Sequence, residues 1–101
     1  MSRPYRTHDD ERDVFRALAH PVRRRIIVAS LDQPQTFEQL RQQVHRSDAT
    51  VAGHLRILRE ARLLTVKRDG RFVNYRVNQH KLRTGFLWLA QAVKMSVPTP
   101  A

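Results

Sequence analysis

Basic side chains carry most of the chemistry that this sequence offers. The 101 residues include 19 Lys and Arg against 9 Asp and Glu, which gives a formal net charge of +10. Only Lys67, Lys81 and Lys94 are lysines, so 16 of the 19 basic residues (19 minus 3) are arginines. Arginine makes two-pronged hydrogen bonds with phosphate and with guanine. The composition therefore favours an anionic partner, and nucleic acid and an acidic membrane surface are the two candidates.

Several other kinds of chemistry are excluded or unsupported. The sequence has no cysteine, so disulfides, thiolate metal sites and thiol redox switches are impossible. It shows no glycine-rich phosphate loop, no paired acids placed for catalysis and no cluster among its five histidines. It also lacks an apolar run of about 20 residues that could span a membrane, and a signal-peptide pattern. We expect a soluble, cytoplasmic, single-domain protein that is not an enzyme and needs no cofactor.

The stretch SDATVAGHLRILREARLL, residues 47 to 64, predicts a helix that contains a glycine. Ser47 is placed to cap it, and its apolar residues recur at steps of four and three along one face: Val51, Leu55 and Leu58. Gly53 costs roughly 1 kcal/mol relative to alanine in such a helix. Either small residues let the backbone approach a ligand closely, or the glycine is a tolerated defect on an exposed face.

Three further helices are predicted before this one. Acids open the first, over residues 9–20, whose apolar face is formed by Val14, Phe15, Leu18 and Ala19. Pro21 begins the second, over residues 21–31, which buries Val22, Ile26 and Ile27. Residues 32–35 (DQPQ) predict a turn. Thr36 and Gln39 then form a capping-box pattern for a short third helix, over residues 36–44. A three-residue connection (HRS) follows this helix. The residues expected to face inward are Phe37, Leu40 and Val44.

A β-hairpin and a last helix follow. Asp69-Gly70 is a strong signal for a two-residue turn, and it places Val66 opposite Val73 and Leu64 opposite Tyr75. The last helix, over residues 80–95, carries apolar residues around more than half of its surface: Leu82, Phe86, Leu87, Trp88, Leu89 and Val93. We expect residues 1–8 to be a flexible segment, 9–95 the domain and 96–101 a flexible tail.

The fold class that follows is mainly α with a β-hairpin: a winged helix-turn-helix of five helices and a two-stranded wing. In that arrangement the second helix of the pair lies in the major groove of double-stranded DNA, and the wing contacts the flanking backbone or minor groove. The candidate DNA-binding residues are Ser47, Asp48, Ala49, Thr50, Ala52, Gly53, His54, Arg56, Lys67, Arg68 and Arg71. For His54 both a phosphate contact and a packed structural role remain open.

The blocks FRALAHPVRRRIIVASL, TFEQLRQQVHRSDATVAGHLRILREARLL and VKRDGRFVNYRV resemble the ArsR/SmtB family of bacterial winged-helix regulators over residues 14 to 77. The resemblance implies a homodimer that binds a palindromic operator and usually represses it, with release by a metal or another signal in many members. It also implies dimerisation through the first and last helices, so the candidate interface residues are Val14, Phe15, Leu18, Phe86, Leu87, Trp88, Leu89 and Val93.

The sequence departs from this family at its metal sites and at one helix end. The segment QTFEQL lacks the family's cysteines, and the four ligand positions of the last-helix site fall on Asn78, His80, Gln91 and Lys94, of which only the histidine is a metal ligand. We therefore expect no metal site. Arg62 replaces a glycine that members often have after the recognition helix, so that helix end is expected to differ.

Two alternatives to a DNA-binding repressor remain at this stage. One is a winged-helix module for protein contacts, which would be expected to expose apolar residues on the 47–60 helix. The other is a sensor of a small-molecule signal that the sequence does not identify. The sequence specifies neither the operator nor the regulated genes.

Overall fold

The computed structural model describes residues 7–93. Their elements, in chain order, are α1 (Thr7–Ala17), α2 (Pro21–Leu31), β1 (Gln35–Thr36), α3 (Phe37–Val44), α4 (Asp48–Glu60), β2 (Leu64–Asp69), β3 (Phe72–Val77) and α5 (Gln79–Ala92). The predicted mainly helical fold with five helices is confirmed. Residues 1–6 and 94–101, which hold most of the predicted flexible ends, lie outside the described residues.

The first two helices meet at a sharp boundary. The predicted extent of α1 is wrong at its end, because the helix stops at Ala17. Proline disfavours a helical residue before it, so the chain turns ahead of Pro21. Of the predicted apolar face, Val14 is buried and Phe15 and Leu18 are half-buried, but Ala19 is exposed and Ala17 is buried in its place. Pro21 begins α2 as predicted, and His20 caps that helix by accepting a hydrogen bond from the Val22 amide at Nδ1, 3.1 Å away.

The sheet has three strands rather than two. Its order is β1-β3-β2, with both pairs antiparallel. The predicted turn over residues 32–35 is therefore too long, because Gln35 already pairs with Tyr75 of β3, on the side of β3 opposite β2. The Gln35 side chain is buried and accepts a hydrogen bond from Gln43 of α3, 3.2 Å away. A two-residue strand carries no periodicity that a sequence pattern could reveal.

The hairpin turn lies one residue later than predicted. Asp69 pairs with Phe72, Val66 with Tyr75 and Leu64 with Val77, so the loop is Gly70-Arg71. Gly70 has a φ of 61° and Arg71 has no positive φ, which fits a turn with glycine in its first position better than one with two left-handed residues. Because each strand residue shifts its partner by two places, the predicted inward and outward faces are kept.

The core lies beneath α4 and the hairpin. Its fully buried large side chains are Ile26, Leu40, Leu58, Leu63, Val14 and Val51. The predicted inward residues of α2 and α4 are all buried, and those of α3 are buried or, for Phe37, packed against the core. Burial of this kind contributes roughly 1.5–3 kcal/mol for each large aliphatic side chain. The core therefore fixes α4 with one face inward and the opposite face free.

Helix α5 packs against α1 rather than against the hairpin. The rings of Phe15 and Trp88 lie 6.1 Å apart between centroids. Gly85 is buried against Val14, where a Cβ on residue 85 would come within 3.1 Å of the valine Cγ1. No helix in the described part of the chain is long and apolar enough to cross a membrane.

Candidate nucleic-acid interface

Helices α3 and α4 form a helix-turn-helix with well-defined ends. Thr36 and Gln39 make the predicted capping box, in which the threonine Oγ1 accepts from the Gln39 amide at 3.2 Å and the glutamine Oε1 accepts from the Thr36 amide at 2.9 Å. His45 ends α3 in a left-handed conformation with a φ of 52°. Ser47 caps α4 as predicted, and its Oγ accepts from the Thr50 amide at 3.2 Å. The three residues 45–47 therefore connect two helices whose facing ends are both capped.

The outer face of α4 is small and polar. Ala49, Thr50, Ala52 and Arg56 are exposed, and Gly53 is half-buried. Nothing lies within 4 Å of the position that a Cβ on Gly53 would occupy. The protein itself therefore does not require glycine there, and the backbone on this side is open to a bulky external partner. The structure thus brings these five predicted residues together on one accessible surface.

An acidic residue at the start of α4 is held by an arginine of α3. The Nε of Arg41 lies 3.3 Å from a carboxylate oxygen of Asp48, and its Nη2 lies 2.6 Å from Glu38. The hydrogen bond from Arg41 lowers the pKa of Glu38, with the guanidinium charge adding to this. All three groups are exposed, so the pairs contribute little stability. They do reduce the negative potential that Asp48 would otherwise present beside the α4 surface.

The wing presents cations at its tip and along its strands. Lys67, Arg68 and Arg71 are exposed, as is Arg76 on β3. Arg71 lies in the turn itself, and Arg68 lies on β2 two residues before the turn, opposite Val73. Phe72, directly after the loop, is also exposed. The predicted basic character of the hairpin is therefore matched by exposed positions at the end that points away from the core.

A basic cleft joins α4 to the wing, and the spacing of the sequence does not reveal it. Residues from the second half of α4 form one wall and the start of β2 forms the other; the lining includes Arg56, Arg59, Arg62, Thr65 and Asn78. Arg59 is exposed on the α4 side of this cleft. The two regions are separated by a helix end and a strand start, so only the fold could show that they line one cleft.

His54 lies on the flank of α4 that faces α2. Its ring is 4.4 Å from that of His20 between centroids, and its Nδ1 is 3.4 Å from Nη1 of Arg23. Burial, followed by the nearby His20, Arg23 and Arg46, lowers the pKa of His54 from its ordinary value of 6.5. The ring is half-buried and contacts α2, and these contacts support a packed structural role for His54.

The end of α4 shows why Arg62 matters. Arg62 has a left-handed backbone with a φ of 63°. Its amide donates to Arg59 O at 2.9 Å, and the Leu63 amide donates to Leu58 O at 2.9 Å. These two bonds form a Schellman motif, in which the left-handed position is usually glycine. The sequence predicts that this helix end differs because Arg62 replaces glycine, but the Schellman motif forms with Arg62 in the left-handed position.

The comparisons with known proteins agree on one family. A helix-turn-helix domain family matches residues 18–67. The transcriptional repressor SmtB of Mycobacterium tuberculosis is 36% identical over 70 residues, or 69% of this chain and 52% of that protein. The crystal structure of a possible transcriptional regulator for arsenical resistance is 32% identical, with a TM-score of 0.71, over 78% of this chain and 82% of that one. The chain belongs to the ArsR/SmtB family of winged-helix regulators.

A more distant solved structure has the same fold over most of the chain. A homodimeric winged helix-turn-helix DNA-binding domain from Mycobacterium bovis, a possible ArsR-family regulator, has the same fold at 20% identity, with a TM-score of 0.70 over 93% of this chain and 92% of that one. This chain spans about half the length of the SmtB protein it matches (52%).

Three of the four positions that correspond to the family's last-helix metal site lie within the described residues. Asn78 caps α5, with its Oδ1 accepting from the Lys81 amide at 3.2 Å. His80 and Gln91 are exposed, and Lys94 falls outside the described residues. Among residues 7–93, no three His, Asp or Glu side chains are grouped where they could hold a metal ion together.

Proposed function

We propose that this ArsR/SmtB family member is a dimeric, sequence-specific DNA-binding transcriptional regulator that represses a palindromic operator. The observation that carries the proposal is the surface shared by α4 and the wing. A small and polar helix face stands beside four exposed cations, Lys67, Arg68, Arg71 and Arg76. In this proposal the first half of α4 enters the major groove, and the wing cations contact phosphates.

The charge and the relatives support the same assignment. A net charge of +10 attracts a polyanion from a distance and makes the binding salt-dependent. SmtB, the relative with 36% identity, is a transcriptional repressor, and we extend that role to this chain. A module for protein contacts would be expected to expose large apolar residues on α4, whereas the exposed residues of its first half are Asp48, Ala49, Thr50 and Ala52.

Dimerisation follows from the surface of α5 in this proposal. Phe86, Leu87, Trp88, Leu89 and Val93, here called the α5 apolar face, are each between 37% and 53% exposed in the single chain. An apolar patch of this kind marks an interaction site on a small protein. Val14, by contrast, is 1% exposed and serves the contact between α1 and α5 within one chain. The homodimeric state of the Mycobacterium bovis domain supports a second copy as the partner.

The test begins with selection of bound duplexes from a random-sequence pool, followed by titration at several salt concentrations. Replacing Arg68 and Arg71 with alanine should weaken binding to all sequences alike and reduce the slope of log K against log salt by about 2, roughly one for each lost phosphate contact. The matched control replaces Arg12 and Arg25, exposed residues outside α4 and the wing, and removes the same charge. Equal binding by the wing variant and the parent would show that the hairpin does not contact DNA.

We further propose that metals do not regulate this protein through the family's usual sites. Cysteine is absent, and three of the four positions on the last helix hold Asn78, Gln91 and Lys94. Zinc, cobalt or nickel should therefore leave the affinity for the selected duplex unchanged in a titration. A stoichiometric metal complex that lowers that affinity would contradict this part of the proposal.

A further inference from the structure

Arg23 occupies the joint between α1, α2 and the recognition helix α4. Its Nε donates to the carbonyl of Ala17, the last residue of α1, and its Nη2 donates to the carbonyl of Arg16 at 3.4 Å. Its Nη1 lies 3.4 Å from Nδ1 of His54 on α4. One guanidinium thus contacts the end of α1 and the flank of α4 at the same time. It belongs to neither the α4 surface nor the wing.

The contact with His54 requires a particular protonation state. A guanidinium has only donors and stays charged in proteins. It can therefore approach Nδ1 favourably only when that nitrogen is unprotonated, which places the single proton of a neutral His54 on Nε2. The next proton must then bind at Nδ1, the atom that faces Arg23. Protonation turns the contact into an encounter between two donors and two positive charges.

The same joint is connected to the proposed dimer surface. Helix α1, whose last carbonyls bind Arg23, packs against α5 through Phe15 and Trp88 and through Val14 against Gly85. On α4 the contact with Arg23 is made by His54, which directly precedes the core residue Leu55. The chain of contacts therefore runs from α5 through α1 and Arg23 to the first half of the recognition helix.

We propose that Arg23 is a positioning residue that ties the recognition helix to the end of α1 through an unprotonated His54, and that protonation of His54 releases this tie and weakens sequence-specific binding. The inference rests on the proposed function for its effect on DNA. The link itself is a property of the free protein.

The charged and titratable groups around His54 act in one direction. His20 faces the ring from the start of α2, Arg23 from α2 itself and Arg46 from the connection before α4, and each opposes protonation, after burial as the largest cause. Because the pKa of His54 in the folded protein lies below the ordinary 6.5, the unfolded chain binds more protons between the two pKa values. The contribution of neutral His54 to the stability of the fold is therefore fully present above pH 6.5, and it is lost as the pH falls through the folded-state pKa.

The experiment compares the full-length parent with three variants. Arg23→Met removes the donors while keeping an unbranched side chain, and His54→Gln keeps an amide acceptor that does not titrate. His20→Asn keeps a side chain able to cap α2 and removes the second histidine. For each protein, NMR follows the histidine rings and the α4 amides through a pH titration. Affinities for a duplex selected from a random pool and for its scrambled sequence are measured at about pH 7.5 and at a second pH below the folded-state pKa of His54 that the NMR titration gives.

For the parent, we expect the ratio of selected to scrambled affinity to fall about two- to tenfold between the two pH values, the size that the loss of one hydrogen bond predicts. The α4 amides should shift together with the His54 ring. His20→Asn should retain this fall, and His54→Gln should abolish it. Arg23→Met should raise the pKa of His54, lower the ratio already at the higher pH and flatten its pH dependence.

Two results would overturn the inference. One is an Arg23→Met protein in which both the His54 titration and the affinity ratio match the parent. The other is an unchanged pH dependence in His54→Gln, which would move the titrating group elsewhere. If no duplex is preferred over its scrambled form, the proposed function fails. The link between Arg23 and His54 is tested independently, because the NMR titrations of the His54 ring and of the α4 amides in Arg23→Met do not require DNA.

Discussion

At the scale of single residues, Gly53 is where the fold and the proposed function favour different side chains. Glycine costs roughly 1 kcal/mol relative to alanine in a helix interior. The space around its Cβ position is empty to 4 Å, so no packing inside the protein compensates for that cost. A close approach of DNA to this side of α4 would compensate for the cost of glycine, because a larger side chain at residue 53 would keep the helix away from the groove.

Substitutions at Gly53 separate these two effects. Gly53→Ala should stabilise the free protein by up to about 1 kcal/mol with a small loss of binding. Gly53→Leu should also leave the fold intact, yet weaken binding to the selected duplex by about 1 kcal/mol or more, roughly the value of one good base contact. Thermal melts and duplex titrations on both variants measure the two quantities independently. A Gly53→Leu protein that binds as tightly as its parent would mean that the glycine is only a tolerated defect.

Some of these features are predictable from the sequence and others are not, because only some of them are set by neighbouring residues. Caps act over three or four positions of the chain, so Ser47 and the Thr36–Gln39 box were predictable from local spacing. The partners of His54 come from α2, 31 and 34 positions away for Arg23 and His20 (54 − 23 and 54 − 20). No local pattern encodes such a contact, so the sequence alone leaves both roles of His54 open.

At the scale of elements, the end of α4 carries identifiable backbone strain. A left-handed conformation costs a residue with a Cβ roughly 1–2 kcal/mol, and Arg62 adopts it with a φ of 63°. Arg62→Gly should therefore raise the free energy of unfolding by about 1 kcal/mol, after allowance for the side-chain contacts of the arginine. Urea or thermal unfolding measures the change.

The control for this prediction is Arg62→Ala. Alanine removes the same side-chain contacts but keeps the Cβ that makes the left-handed conformation costly. It should be less stable than Arg62→Gly by about 1 kcal/mol. Equal stability of the two variants would show that the backbone at this helix end stores no such strain.

The hairpin shows how far an element can be predicted from its pattern. The alternation of apolar and polar residues predicted which side chains share a face, and the observed register keeps those faces. The position of the turn depends on one glycine φ, and Asp69-Gly70 and Gly70-Arg71 both satisfy the same alternation. Strand β1 is two residues long and exists only because β3 offers a free edge for Gln35 and Thr36. Its pairing is a tertiary contact that requires β3.

At the scale of the whole molecule, the single chain leaves apolar surface in two places around α5. The α5 apolar face is one. The other is an open groove between α2 and the start of α5, lined by Arg24 and by apolar side chains that include Ile27, Val28, Leu31, Leu82 and Phe86. Phe86 belongs to both. A dimer through α5 would cover this region, and it would also hold two α4 helices at a fixed separation, as a palindromic operator requires.

A charge placed within the α5 apolar face tests this arrangement. Phe86 is 52% exposed, so Phe86→Glu should fold as a monomer but should not bury its carboxylate in an interface, where an unpaired charge is costly. Light scattering at micromolar concentration should show a dimer for the parent and a monomer for this variant, with weaker binding to the palindrome. Gln33→Glu, at an exposed position after α2, adds the same charge outside α1 and α5 and should remain dimeric. A monomeric parent would exclude the dimer, and a dimeric Phe86→Glu protein would place the interface away from Phe86.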